Sequence, residues 1–364
     1  MEQDDQQAML DEFERIRRMT ERGLRRGRHK DADVNAAGVE VGIGDDAAVV
    51  TVHAGTHLVA TCDTMVETVH FDPRTMSDED IGYKAMAANV SDIAAMGGTP
   101  KYALVSVSIP RRWHHRRLER LYDGLYACAD RYGVNVVGGD TTKAPRHLMI
   151  SVTLMGEVKE KHALLRSSAR PGDVVFVTGY PGCAAAGLHV LLARGERAQP
   201  TDEWPAPYAR LVQAHQRPDP SVRAGQIIAD TVGNRSALND ISDGLASECL
   251  EISRASGYGL VLYDERIPIA PELAEYAKMH QYPVLDWVLY GGEDYCLVGT
   301  APSGPALARL KKAFEKERLP FFVIGEVSSE RTRAGRLFRV DASGRTVEET
   351  RRGYNHFHSG GQEG

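Results

Sequence analysis

The sequence has no excess of positive charge. Its formal net charge is -6, so it offers no general surface for a nucleic-acid backbone. A local cationic or metal-loaded nucleotide site is compatible with that sum. Cysteine is sparse: the five residues stand at 62, 128, 183, 249 and 296, with no C-x-x-C pair. A zinc site or a disulfide framework is therefore not expected. No run of eighteen apolar residues occurs, so no membrane-spanning helix is predicted. The polar, acidic start Met1-Glu2-Gln3-Asp4-Asp5 predicts no secretory leader, and a reduced cytoplasmic compartment is the expectation. The phosphate-binding pattern G-x-x-x-x-G-K-[ST] is missing, and so are the kinase H-R-D and D-F-G sets. If the chain uses ATP, it belongs to neither common class.

What remains is an ordinary globular composition, 42% hydrophobic and 26% charged over 364 residues, enough for roughly two domains. Its most informative stretch is Gly42-Ile43-Gly44-Asp45-Asp46-Ala47-Ala48-Val49-Val50. Two glycines permit a tight bend, two carboxylates follow, and a β-branched run leaves as a strand. Alone this is turn chemistry. The setting recurs, however, at Asp63, Asp92, Asp140, Asp240 and Asp243, each beside an apolar run and flanked by small or polar residues. Bound hard cations are the simplest explanation for so many acids. Without cations these groups would repel one another; with two or more Mg²⁺ they would form a receptor for a polyphosphate. Thr61 and Ser242 are natural helpers, and soft ligands are nearly absent. Phosphoryl transfer follows as the reaction class, since it depends on positioning and charge neutralisation.

Read in order, residues 8–24 carry a helical apolar period, and Arg22 to Lys30 read as a solvated basic linker. Strands are predicted at 47–52 and 57–66, then a helix from the capping box Ser77-Asp78-Glu79-Asp80 to about Met96. A strand at 103–109 and a helix at 113–131 follow. A strand from Val134 then runs into a polar turn, Gly138-Gly139-Asp140-Thr141-Thr142, and a partner strand covers 147–158. The order hairpin, helix, strand, helix, hairpin predicts a mixed α+β N-terminal domain over 1–160. Arg170-Pro171-Gly172-Asp173 marks the junction to a C-terminal α/β domain over 161–364. Its expected elements are a strand at 173–179, a loop at 195–207, and helices at 208–215 and 221–232. Asp240-Ile241-Ser242-Asp243-Gly244 then opens a helix, and strands are expected at 259–263, 295–300 and 321–327. Gly291-Gly292-Glu293-Asp294-Tyr295 is a turn or a site. His70 and Tyr354 are plain structural residues on type alone, and either could serve a ligand.

Taken together, Ile43-Gly44-Asp45-Asp46, Thr61-Cys62-Asp63 with His70-Phe71, Asn89-Val90-Ser91-Asp92, Gly138-Gly139-Asp140, Asp240-Ile241-Ser242-Asp243-Gly244, Gly291-Gly292-Glu293-Asp294-Tyr295 and Tyr354-Asn355-His356-Phe357 resemble the thiamine-monophosphate kinase family. That family falls within the aminoimidazole ribonucleotide synthetase-like superfamily. The resemblance implies direct transfer of the ATP γ-phosphoryl group to thiamine monophosphate. It also implies a homodimer whose N-terminal sheets join into a β-barrel, with ATP near the subunit boundary. By position it carries metal contacts to Asp46, Thr61, Cys62, Asp63, Asp92, Asp140, Asp240 and Asp243. Nucleotide contacts carry to Tyr122, Gly139, Asp140, Arg166 and Ser242, and substrate contacts to His70, Glu293 and Tyr354. Asp46, Asp63, Asp92, Asp140 and Asp243 form the expected catalytic set. One departure is Cys62, where the family carries Thr: a thiol is a poor magnesium ligand, harmless only if the contact is made by the main chain. Two alternatives stay open: another ATP-using enzyme of the superfamily, and a nucleotide-binding regulator without catalysis.

Overall fold

A computed structural model describes residues 38–41, 49–194, 204 and 208–350. The expected helix at 8–24, the basic linker, the Gly42 to Ala48 turn with Asp46, the 195–207 loop apart from Trp204, and the tail with Tyr354 lie outside the described residues. The described chain forms two compact units. One reaches Ala163 and includes residues 191–194; the other takes residues 164–190, 204 and 208–350.

In the first unit β1 (Val39–Val41) and β2 (Val49–Val50) pair as a short antiparallel ribbon. The larger sheet uses β3 (Thr56–Val66), β4 (Thr99–Pro110), β5 (Asn135–Ala144) and β6 (Met149–Lys159), in the order β3-β6-β4-β5. Two helices, α1 (Asp78–Ala95) and α2 (His115–Tyr132), pack with it among the described residues. The start of α1 is set locally: Ser77 Oγ accepts the Asp80 N–H at 3.1 Å, and Asp80 accepts the Ser77 N–H at 3.3 Å. This reciprocal cap satisfies two donors that the first turn leaves open. Asp78, also in that turn, accepts Arg117 of α2 at 2.6 Å and Arg120 as well. The two helices cross almost backbone to backbone. A Cβ on Gly82 would stand 1.8 Å from the Leu121 carbonyl oxygen, and one on Gly124 1.7 Å from that of Glu79. Only glycine permits that approach, and Leu118, Leu121, Leu125 and Ala129 close the seam on the helical period.

Three expectations are corrected here. Among the described residues the strands expected at 47–52 and 57–66 do not form a hairpin, because β2 pairs with β1 and β3 with β6. The strands at 135–144 and 149–159 do not form a hairpin, because β6 inserts between β3 and β4. Strand β5 instead runs parallel to β4, joined to it through α2, the crossover that parallel strands require. The stretch Gly138 to Thr142 is also not a turn. It continues as strand to Ala144 after a register shift of β5 against Ala103 and Leu104. Helix α1 lies against β3, β4 and β6. On β3 the side chains alternate, with Met65 buried and Cys62 and Thr64 exposed. Leu58 and Met149 remain exposed at 50% and 41%, which marks the opposite sheet face as free of helices among the described residues.

The second unit is built on seven strands: β7 (Val174–Val177), β8 (Ala237–Asp240), β9 (Leu260–Tyr263), β10 (Leu297–Ala301), β11 (Phe322–Val327), β12 (Leu337–Val340) and β13 (Thr346–Glu349). Their order is β13-β12-β9-β11-β7-β10-β8, and only β9 and β12 run parallel. The sheet is therefore mixed and mainly antiparallel. Helices α3 (Cys183–Arg194), α4 (Tyr208–Gln216), α5 (Val222–Val232), α6 (Leu245–Ser256), α7 (Pro271–Met279), α8 (Val284–Tyr290) and α9 (Pro305–Glu317) connect the strands. Two features were not anticipated. Strand β8 leads into the Asp240–Asp243 segment, and the β12–β13 hairpin carries Arg339, which pairs with Asp264 and with Glu349 at 2.8 Å.

Candidate active site

In the first unit the structure brings three of the expected residues to one place. Thr61 and Asp63 lie two apart on β3 and share its helix-facing side. The Thr61 hydroxyl donates to the Asp92 carboxylate of α1. The Asp63 N–H donates to Asn89 Oδ1 at 3.0 Å, and Asn89 Nδ2 donates to the Ala85 carbonyl at 3.0 Å. One turn of α1 thus fixes this part of β3. Cys62 points the other way: its Sγ lies 3.5 Å from both Ser151 Oγ and Thr153 Oγ1 on β6. Asp140 is exposed on β5, in register with Ser106 and, across the sheet, with Ser151 and Thr64. Asp63 and Asp140 occupy opposite edge strands, with β6 and β4 between them, roughly 14 Å of sheet. Tyr122 is 5% exposed, with its ring centroid 6.2 Å from that of Tyr126. His70 Nδ1 accepts the Val66 N–H at 3.0 Å, which leaves Nε2 to carry the proton of the neutral ring.

In the second unit two motifs fifty residues apart meet through the backbone. Ile241 N–H donates to the Cys296 carbonyl at 2.8 Å, Tyr295 N–H to that of Ile241 at 3.0 Å, and Glu293 N–H to that of Ser242 at 2.7 Å. Gly292 lies so close that a Cβ would stand 2.3 Å from the Ser242 carbonyl oxygen. Glu293 is held at φ 67°, a left-handed conformation uncommon for a side chain of this size. Its carboxylate lies 3.7 Å from Nδ1 of His215, a buried residue of α4.

Sequence reasoning missed the groups that hold these motifs. Glu248, in the first turn of α6, is 4% exposed. It accepts the Asp243 N–H at 3.1 Å, the Ser242 hydroxyl at 3.4 Å and the Asn239 side-chain amide. Burial, and then the Asp240 carboxylate beside it, push its carboxyl up to about 8. Asn239 Oδ1 in turn accepts Arg166 Nε at 3.0 Å. An acid in a first helical turn reads from sequence as a dipole partner, which hid this role.

Asp294 is also an anchor rather than a ligand contact. It accepts the Gly182 and Ala184 N–H groups at 2.6 and 2.9 Å, at the start of α3. Burial pushes its carboxyl up to about 7 against those donors. Asp294→Ala is expected to lower stability by about 1–3 kcal/mol, because it orphans two N–H groups, and Asp294→Asn should recover part of the loss. For an acid whose pKa is raised on folding, the contribution is complete below the unfolded value near 4 and is lost as the pH rises through about 7. The advantage of wild type over Asp294→Asn should therefore narrow across that window in denaturant titrations.

Among the described residues no three His, Cys, Asp or Glu side chains gather closely enough to hold a metal ion. No helix among them is long and apolar enough to cross a membrane.

Residues 44–158 match the family model for the AIR synthase related protein, N-terminal domain, and residues 170–336 that for the C-terminal domain. The thiamine-monophosphate kinase of Bacillus subtilis (strain 168) is 39% identical over 348 residues, 96% of this chain and 100% of that protein. The chain belongs to the thiamine-monophosphate kinase family. A crystal structure of the kinase from Stenotrophomonas maltophilia K279a is similar at 34% identity and a TM-score of 0.75, covering 86% of this chain and 94% of that one. AaThiL complexed with AMPPCP and TMP is similar at 32% identity and a TM-score of 0.71, covering 84% and 89%. The two-domain α+β fold with mixed sheets agrees with these relatives, and the motifs that carry the family resemblance include the two that meet at Ser242 and Glu293.

Proposed function

We propose that the chain transfers the γ-phosphoryl group of ATP to the phosphate of thiamine monophosphate, giving thiamine diphosphate and ADP. The observation that carries this reading is the backbone-locked meeting of Asp240-Ile241-Ser242-Asp243-Gly244 with Gly291-Gly292-Glu293-Asp294-Tyr295. The family relative complexed with AMPPCP and TMP supports it. In this reading a phosphate oxygen of thiamine monophosphate attacks the γ-phosphorus in line. The bond from that phosphorus to the β-bridging oxygen breaks, and ADP leaves with the electron pair. No protein nucleophile is needed, so the chain's task is to position two anions and offset their charge.

The donor chemistry fits a hard cation. Thr61, Asp63 and Asp92 offer oxygen from one side of β3, and Asp240 and Asp243 offer carboxylates in the second unit. We assign magnesium to these residues together with Asp46, Asp140 and the main chain at residue 62. The assignment at 62 uses the carbonyl because the Cys62 thiol faces away from Asp63. Bound magnesium would neutralise the polyphosphate. Arg166, Ser242, Gly139, Asp140 and Tyr122 are assigned to the nucleotide, and His70, Glu293 and Tyr354 to thiamine monophosphate. We further propose an N-terminal domain over 1–160 for ATP, metal and dimerisation, and a C-terminal domain over 161–364. The homodimer would join its sheets into a barrel through the helix-free face bearing Leu58, Cys62 and Met149. Five cysteines that are all unpaired support a reducing, cytoplasmic setting.

The test is ADP release from Mg-ATP with and without thiamine monophosphate. ADP and thiamine diphosphate should appear in equal amounts, and ADP release without acceptor should be about a hundredfold slower or less, a barrier difference of about 2.7 kcal/mol. ADP release indifferent to thiamine monophosphate would point to another reaction of the superfamily, and no release at all to a regulator.

A further inference from the structure

A buried carboxylate that takes no part in the transfer stands at the centre of the second unit's motifs. Taking Glu248 out of water is costly unless hydrogen bonds compensate, and its oxygens face donors: the Asp243 N–H, the Ser242 hydroxyl and the Asn239 amide. Asn239, 1% exposed, has no freedom to turn. Its Nδ2 is spent on Glu248, so its Oδ1 is presented to Arg166 Nε at 3.0 Å. Arg166 itself is exposed, and a long exposed side chain loses rotamer entropy when a ligand fixes it. A partner that fixes it beforehand removes that cost from binding. The same carboxylate also fixes the turn that carries Ser242 and Asp243.

We propose that Glu248 is a positioning residue for the nucleotide: it holds the Ser242–Asp243 turn directly and the Arg166 guanidinium through Asn239. The proposal rests on the reading of Arg166 and Ser242 as nucleotide contacts. It predicts an effect on ATP and little on thiamine monophosphate, a selectivity that general loosening of the core would not give.

The test uses the full chain, AMPPNP with Mg²⁺ as nucleotide probe, calorimetric titration and thermal melting. Glu248→Ala should raise the Kd for AMPPNP and the KM for ATP about tenfold or more, with the Kd for thiamine monophosphate within about threefold. Glu248→Gln keeps the shape and one of the two acceptors and should recover part of the affinity. A cycle between Arg166→Ala and Asn239→Ala reads the relay independently of the Glu248 variants. Arg166→Ala alone should weaken AMPPNP about tenfold, and adding Asn239→Ala should cost less than about twofold more, because Asn239 acts through Arg166. If Arg166→Ala weakens AMPPNP but Glu248→Ala melts normally and binds within about twofold of wild type, the proposal fails while the nucleotide reading stands. Additive losses in the cycle overturn the relay in the same way, and the cycle decides alone if Glu248→Ala does not fold. If Arg166→Ala leaves AMPPNP affinity unchanged, the nucleotide reading of Arg166 fails, and the proposal falls with it.

Discussion

Asp243→Asn is expected to lose at least about a hundredfold in turnover, about 2.7 kcal/mol of barrier, with a melting curve close to wild type. Asp63→Asn is expected to behave alike. The physical case is that the main chains of both acids are hydrogen-bonded in a way that does not depend on the charge of the side chain. Asp243 sits half-buried between β8 and α6, and its N–H donates to Glu248 at 3.1 Å. Asp63 sits half-buried on β3, and its N–H donates to Asn89 at 3.0 Å. Asparagine preserves both main-chain bonds and the side-chain shape, and removes the negative charge on which a hard cation depends. Turnover and thermal midpoint should be measured on the same preparations. Activity within about threefold of wild type would take that residue out of the metal assignment, whereas a fall in activity together with the midpoint would mean the residue supports the fold.

The contrast between what the sequence reveals and what it hides follows interaction range. The cap at Ser77 is legible because both partners lie within one turn. The position of β6 is not legible, since whether a strand pairs with its predecessor or inserts between two earlier ones depends on which faces the helices cover. The run Gly138 to Thr142 has turn composition throughout, yet pairing with β4 on one side draws it into the sheet. In the site, Asp63, Asp92 and Thr61 were visible as acids and hydroxyls beside apolar runs, and their convergence at α1 is what strand alternation predicts. The separation of Asp140 from them by two strands is a topological fact with no local trace. Glu248, Asn239 and His215 carry no motif of their own. They became visible only when the folded chain showed Glu248 on the Asp243 N–H, Asn239 between Glu248 and Arg166, and His215 beside Glu293.

Glu293→Ala is expected to raise the KM for thiamine monophosphate about ten- to a hundredfold and the KM for ATP far less. Thiamine monophosphate carries a cationic thiazolium and a flat aminopyrimidine, and a carboxylate can accept from the amino group or oppose the cation. Removing a charged hydrogen-bond partner costs about 1.5–3 kcal/mol, which sets the range. The site's construction favours this residue over its neighbour. Asp294 has its oxygens committed to the start of α3, whereas the Glu293 side chain remains 31% exposed. The backbone around Glu293 is set by φ 67° and by its N–H bond to Ser242 at 2.7 Å. His215 Nδ1 lies 3.7 Å from one side of the carboxylate, within the same unit. Alanine leaves that backbone bond in place, so the fold should survive the change. Tyr354→Ala, which removes only a stacking face, should shift the same constant more mildly. Steady-state kinetics with each substrate varied in turn decides the assignment. If Glu293→Ala raised the ATP constant alone, Glu293 would belong with Ser242 to the nucleotide, and the thiamine pocket would have to be sought elsewhere.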